Sequence, residues 1–170
     1  MKISKIFYFE KLKTWDKLTI VIYIILTFVI YYYYLNSIED KTKHDLVFGY
    51  TIGTHFFIYS FNYKSLRNLT VYFFWLIVGI IHLYLYFQLN NNIALYYLNS
   101  NSATGLRNTI ILLFIFQILR LVSFVSQDQE LVCPSKGNNR KDFFDERRIT
   151  DIDFLLFLAY FGFVFLLFKY

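Results

Sequence analysis

Between Leu18 and Leu35, and again between Leu69 and Leu89, the chain runs without one charged side chain. Such runs suit hydrocarbon better than water, because a helix crossing a bilayer needs about 20 predominantly apolar residues. Three further segments, Asp45 to Phe61, Leu106 to Val125 and Ile152 to Phe168, approach the same pattern. The reading is an all-α polytopic membrane protein forming one transmembrane domain over 1–170, with spans near 18–35, 45–61, 69–89, 106–125 and 152–168. Gly49, Thr51, Gly53, Thr54 and His55 dilute the second segment. A four-span alternative would leave it in the interface.

Cations test that count, since Lys and Arg collect on the inner side of a membrane. Lys2, Lys5, Lys11, Lys13 and Lys17 precede the first span, Lys64 and Arg67 join the second to the third, and Lys136, Arg140, Lys141, Arg147 and Arg148 join the fourth to the fifth. Only Lys41, Lys43, Arg107 and Lys169 fall on the other side. Five crossings therefore give an inner N-terminus and an outer C-terminus, whereas four would place Lys64 and Arg67 outside. Residues 1–17 set Ile3, Ile6, Phe7, Leu12 and Trp15 among lysines, which suits either a short interfacial helix or an irregular basic anchor. No small-residue cleavage site follows the first apolar run, so a removable signal is not expected.

Two histidines lie inside spans, His55 and His82. Intramembrane ionisable groups raise a functional question by default. At similar depth on neighbouring antiparallel helices they could ligate a haem, serve a proton or quinone path, or simply hydrogen-bond as neutral side chains between helices. Gly49 and Gly53 place two missing side chains on one helix face, where another backbone can come close. Arg120, near the inner end of the fourth span, must snorkel or find a carboxylate. Asp153 or Asp151, at the start of the fifth span, are the expected partners. Thr150 with Asp153 has the spacing of a capping box.

The inner loop 126–151 ends in Asp142, Phe143, Phe144, Asp145, Glu146, Arg147 and Arg148. Mixed signs around two aromatics suit docking to another protein, with Phe143, Phe144, Arg147 and Arg148 as contacts, or a merely solvated loop. They do not form the basic surface that nucleic acid requires. Cys133 stands alone, no Gly-rich phosphate loop occurs, and no Glu, Asp or Lys lies at mid-span. Pump and carrier cores generally need such groups. The expected role is accordingly non-catalytic, without metal or cofactor, and with other membrane subunits and bound phospholipid as partners.

Composition adds origin. Phe and Tyr number 21 and 16, against one Pro and one Met. Alanine is confined to Ala94, Ala103 and Ala159. Together with the uncleaved start, this pattern resembles inner-membrane subunits encoded by very AT-rich mitochondrial genomes, such as those of ciliates. The resemblance implies a structural subunit of a respiratory-chain complex or ATP synthase in the mitochondrial inner membrane. Two alternatives belong to other classes. One is a bacterial membrane channel, effector or immunity protein acting as a homo-oligomer, and the other is a haem- or quinone-binding anchor built on His55 and His82.

Overall fold

The computed structural model describes residues 8–97, 100–134, 142, 144 and 147–169. Five helices dominate: α1 (Thr14–Asn36), α2 (Asp40–Ser60), α3 (Leu69–Leu89), α4 (Thr104–Gln127) and α5 (Asp151–Lys169). Short 3-10 turns at Ser65–Arg67 and Ile93–Leu95 lie in the connections. A minimal antiparallel pair, β1 (Tyr96–Tyr97) and β2 (Ser100–Asn101), sets Tyr96 opposite Asn101.

α1, α3, α4 and α5 are each long and apolar enough to cross a membrane. This is the character of a multi-pass integral membrane protein. α2 has the length, 21 residues, but opens on Asp40, Lys41, Lys43, His44 and Asp45 and carries Thr51, Thr54 and His55 further along.

The helix starts are chemically marked. Asp16 Oδ2 accepts the Lys13 N–H at 2.8 Å ahead of α1, and Asn68 Oδ1 accepts the Thr70 N–H at 3.0 Å at the start of α3. Before α5, Thr150 N–H donates to Asp153 Oδ2 at 2.9 Å while Asp153 N–H donates to Thr150 Oγ1 at 3.1 Å. That reciprocal pair is a capping box, with Asp in the place Glu usually takes. α4 ends where Asp128 turns left-handed, at φ 52°, and donates its N–H to Phe124 O.

α4 is the hub, packing on α2, α3 and α5, while α1 leans on α2 and α3. Asn108, Thr109, Leu112, Leu113, Phe116, Arg120 and Ser123 are wholly buried along it, following the i, i+3, i+4 rule for a helix face. Close approach is arranged by two glycines. A Cβ on Gly105 would overlap Thr51 and meet Phe168 at 2.9 Å, and one on Gly79 would sit 3.3 Å from Leu113 Cδ1. Around the hub, rings interlock: Tyr23 meets Trp75 edge-on at 4.8 Å, and Tyr59 lies 4.4 Å from Tyr160. Such pairs contribute about 0.5–1.5 kcal/mol beyond their buried area. The outward faces remain apolar, with Ile25, Phe28, Phe73, Ile77, Ile80 and Phe165 exposed, as a lipid-facing belt requires.

Gly49 and Gly53, the small pair of α2, face away from the rest of the chain. A Cβ on either would meet nothing within 4 Å, and both are exposed. The two lie instead in an outward groove of about 310 Å³, shared with Tyr23, Leu26, Phe56 and Phe61. α2 turns inward the face carrying Thr51, His55, Ile58 and Tyr59. The N-terminal segment is also sharper than expected. Residues 9–13 are not helical, and Tyr8 pairs in a parallel bridge with Asn68. Residues 1–7 lie outside the described residues.

Candidate functional site

Five buried polar side chains from four helices meet at the centre of the bundle. Thr27 of α1 donates its hydroxyl to the Tyr23 carbonyl at 2.7 Å. The Tyr50 hydroxyl of α2 lies 2.6 Å from Thr27 Oγ1 and 2.7 Å from His82 Nε2 of α3. Thr109 Oγ1 of α4 then lies 3.1 Å from His82 Nδ1 and 3.3 Å from His55 Nε2 of α2. His55, His82 and Thr109 are 0% exposed, so each unmade hydrogen bond there would cost about 1–3 kcal/mol.

Proton counting fixes the direction of the chain. A hydroxyl has one proton, and Thr27 spends its proton on Tyr23 O, so Tyr50 must donate to Thr27. His82 Nε2 then has to donate to Tyr50, which leaves Nδ1 as an acceptor for the Thr109 hydroxyl. His55 consequently donates from Nε2 to Thr109. The Thr109 approach to Gly105 O, at 3.5 Å, competes for the same proton and is the longer contact. Both imidazoles are thereby neutral Nε2–H tautomers. His55 Nδ1 is the open end, with no hydrogen-bond partner.

This arrangement limits the chemistry. The chain runs from the unpartnered His55 Nδ1 to the Tyr23 carbonyl and straps four helices together. Both nitrogens of His82 are engaged, and one hydroxyl bridges the two rings. A macrocycle needs its two axial nitrogens on opposite faces of an iron, and no plane can be inserted where Thr109 stands. The residues do not fit a bis-histidine haem.

A second polar cluster closes the end of the bundle where α2 meets α3 and α4 runs out. Arg120 Nε and Nη2 donate to Glu130 Oε2 and Oε1 at 2.7 and 2.6 Å, a two-point clasp. Arg120 is therefore paired with neither Asp153 nor Asp151, contrary to the sequence expectation. The left-handed turn at Asp128 reverses the chain and brings Glu130 back beside α4, a return that spacing alone does not reveal. Asp153 is 0% exposed and serves Arg147 Nη2 at 2.5 Å, Gln127 Nε2 at 2.7 Å and its own helix cap. Asp151 lies exposed in the first turn of α5.

The segment Leu131–Cys133 is drawn into the bundle, its residues 1%, 1% and 4% exposed. Arg67 Nη2 donates to Leu131 O at 2.8 Å, and the Tyr59 hydroxyl donates to Val132 O at 3.3 Å. Asp142 accepts from Cys133 N–H at 3.0 Å and from the Tyr63 hydroxyl at 2.5 Å. Burial, followed by the Asp142 charge, pushes the Cys133 thiol up to about 12, so it is no ready nucleophile.

Of the expected docking residues, Arg147 is engaged with Asp153, Phe144 stacks at 6.0 Å on Tyr63, and Arg148 is exposed. Phe143 lies outside the described residues. Sequence reasoning missed Thr27, Tyr50 and Thr109. Their only signal is a hydroxyl on each helix facing the histidines, visible once the inward faces are known. Among the described residues no three His, Cys, Asp or Glu side chains converge as a metal site would need. Comparisons with protein-family models, curated proteins and solved structures find no match.

Proposed function

We propose that the chain is a non-catalytic structural subunit of a large inner-membrane energy-transducing complex, crossing the membrane five times with the N-terminus inside. The observation that carries this reading is the outward Gly49/Gly53 face. Two glycines beside a groove of about 310 Å³ leave backbone accessible in the membrane, the feature through which spanning helices associate. The inward polar groups add support, since the histidine chain ties four helices together. Five crossings follow from counting α2 with the four apolar helices, which puts the Lys64, Arg67 and Arg147 end on the basic side. The mitochondrial inner membrane follows from composition alone.

Gentle detergent extraction and a native gel test the reading. Comigration with a large assembly of unlike chains supports it. A ring or dimer of identical chains would favour the bacterial homo-oligomer, for which the same glycine face could serve.

A further inference from the structure

His55 is wholly buried, and its Nδ1 is sealed from solvent without a hydrogen-bond partner. It is the loose end of the polar chain that runs on through Thr109, His82 and Tyr50. Against it lies the last turn of α5. The half-buried Phe168 ring sits 5.5 Å from the imidazole and meets Phe48 of α2 edge-on at 5.8 Å. Gly105 of α4 makes the seat for that ring, because a Cβ there would come within 2.9 Å of Phe168 Cε1. Asn108 Nδ2 ties the turn to the hub by donating to Leu167 O at 2.9 Å. Deeper in, the Tyr160 hydroxyl donates to the His55 carbonyl at 3.2 Å and fixes the body of α5 against α2. The last carbonyls of a helix have no partner within it, so a helix end opens more readily than its middle.

We infer that the last turn of α5 is a lid on the central polar chain, with Phe168 as the plug that governs access to His55. Closed, it keeps the Nδ1 lone pair dry. When the turn lifts, Tyr160 holds the rest of α5 in place and water enters beside Gly105, where its O–H can donate to Nδ1. Entry stops at His55, because Thr109 and His82 are 0% exposed and their hydrogen bonds are already made. The five-span reading places this lid at the outer end of the bundle. The ring contacts hold whichever way the bundle sits and whatever it assembles with, so the lid and the proposed role stand or fall separately.

The test is diethyl pyrocarbonate labelling of the purified full chain in detergent, with each histidine read by peptide mass spectrometry. The reagent acylates an unprotonated imidazole nitrogen that it can reach, so the rate reports the open population. The same chain in denaturant sets the fully open rate. In the unmodified chain His55 should label well below that rate, yet at least about tenfold faster than His82, because the lid opens without the bundle. Phe168→Ala should raise His55 labelling about tenfold or more, since the ring contacts and the buried ring area hold the lid shut. Phe168→Leu should fall between, and His82 should stay protected in both variants. Labelling of His55 at the denatured rate in the unmodified chain, an unchanged rate in Phe168→Ala, or His55 and His82 rising together would each overturn the inference. Equal labelling of His55 and His82 in the unmodified chain would do the same, and that comparison needs no variant to fold.

Discussion

Thr109 and His82 share a 3.1 Å hydrogen bond across the α3–α4 contact, and the same hydroxyl reaches His55 of α2 at 3.3 Å. One oxygen thus holds three helices. Thr109→Val keeps the shape and leaves the inner nitrogens of both imidazoles unmet, so stability should fall by about 2 kcal/mol or more. Thr109→Ser should lose much less. Thermal unfolding of the two variants in detergent checks this, and equal midpoints would remove the strut.

Arg120 and Glu130 provide the second test, because Arg120 is wholly buried while Glu130 is 23% exposed. Glu130→Gln should cost about 3 kcal/mol, near the lower end for a broken buried pair. The double replacement Arg120→Met with Glu130→Leu should recover only part of it, because Arg67 Nε lies 3.8 Å from Glu130 Oε2 and also loses that carboxylate. A double-mutant cycle between Arg120 and Asp153 should show no coupling, as expected for side chains without a shared bond. Strong coupling there would restore the pairing that sequence spacing suggested.

The glycines divide into two classes with opposite expectations. Gly105→Ala must push into Thr51 and Phe168, an overpacking of about 1–3 kcal/mol. Gly49→Ala and Gly53→Ala meet open space. In the isolated chain each should be neutral or stabilising by up to about 1 kcal/mol, as for Gly→Ala inside a helix. Equal destabilisation by all three would mean that α2 is turned differently.

Cys133 links stability to alkaline pH. Its thiol is raised from the ordinary 9.0 to about 12 by burial and then by Asp142. Below 9.0 it is neutral in folded and unfolded chains alike, and between 9.0 and about 12 the unfolded chain ionises first, so stability is lost as pH rises. Comparing the alkaline unfolding of the native chain with Cys133→Ala isolates the effect. The native chain should show the steeper loss, and its thiol should resist alkylation at pH 8 until the chain unfolds.

Much of the frame was legible in the residues. Uncharged runs marked α1 and α3, Thr150 with Asp153 marked the start of α5, and the histidines marked the centre. The hidden parts depend on rotation about helix axes and on a turn. Gly49 and Gly53 share a face by spacing, but spacing does not say whether that face looks in or out. The need for glycine at 105 appears only when Thr51 of α2 and Phe168 of α5 are brought against it. Glu130 was overlooked for Arg120 because the pairing depends on one left-handed residue, Asp128.

The central claim, a structural subunit seated on other membrane chains through the Gly49/Gly53 groove, is tested most directly by paired native gels. The unmodified chain and Gly49→Leu/Gly53→Leu are extracted gently and compared for migration and for co-purifying chains. The account predicts that the unmodified chain migrates within a large assembly of unlike subunits, and that the double variant folds but leaves it. An unmodified chain that migrates alone or only with copies of itself, or a double variant that stays in the assembly, would contradict it.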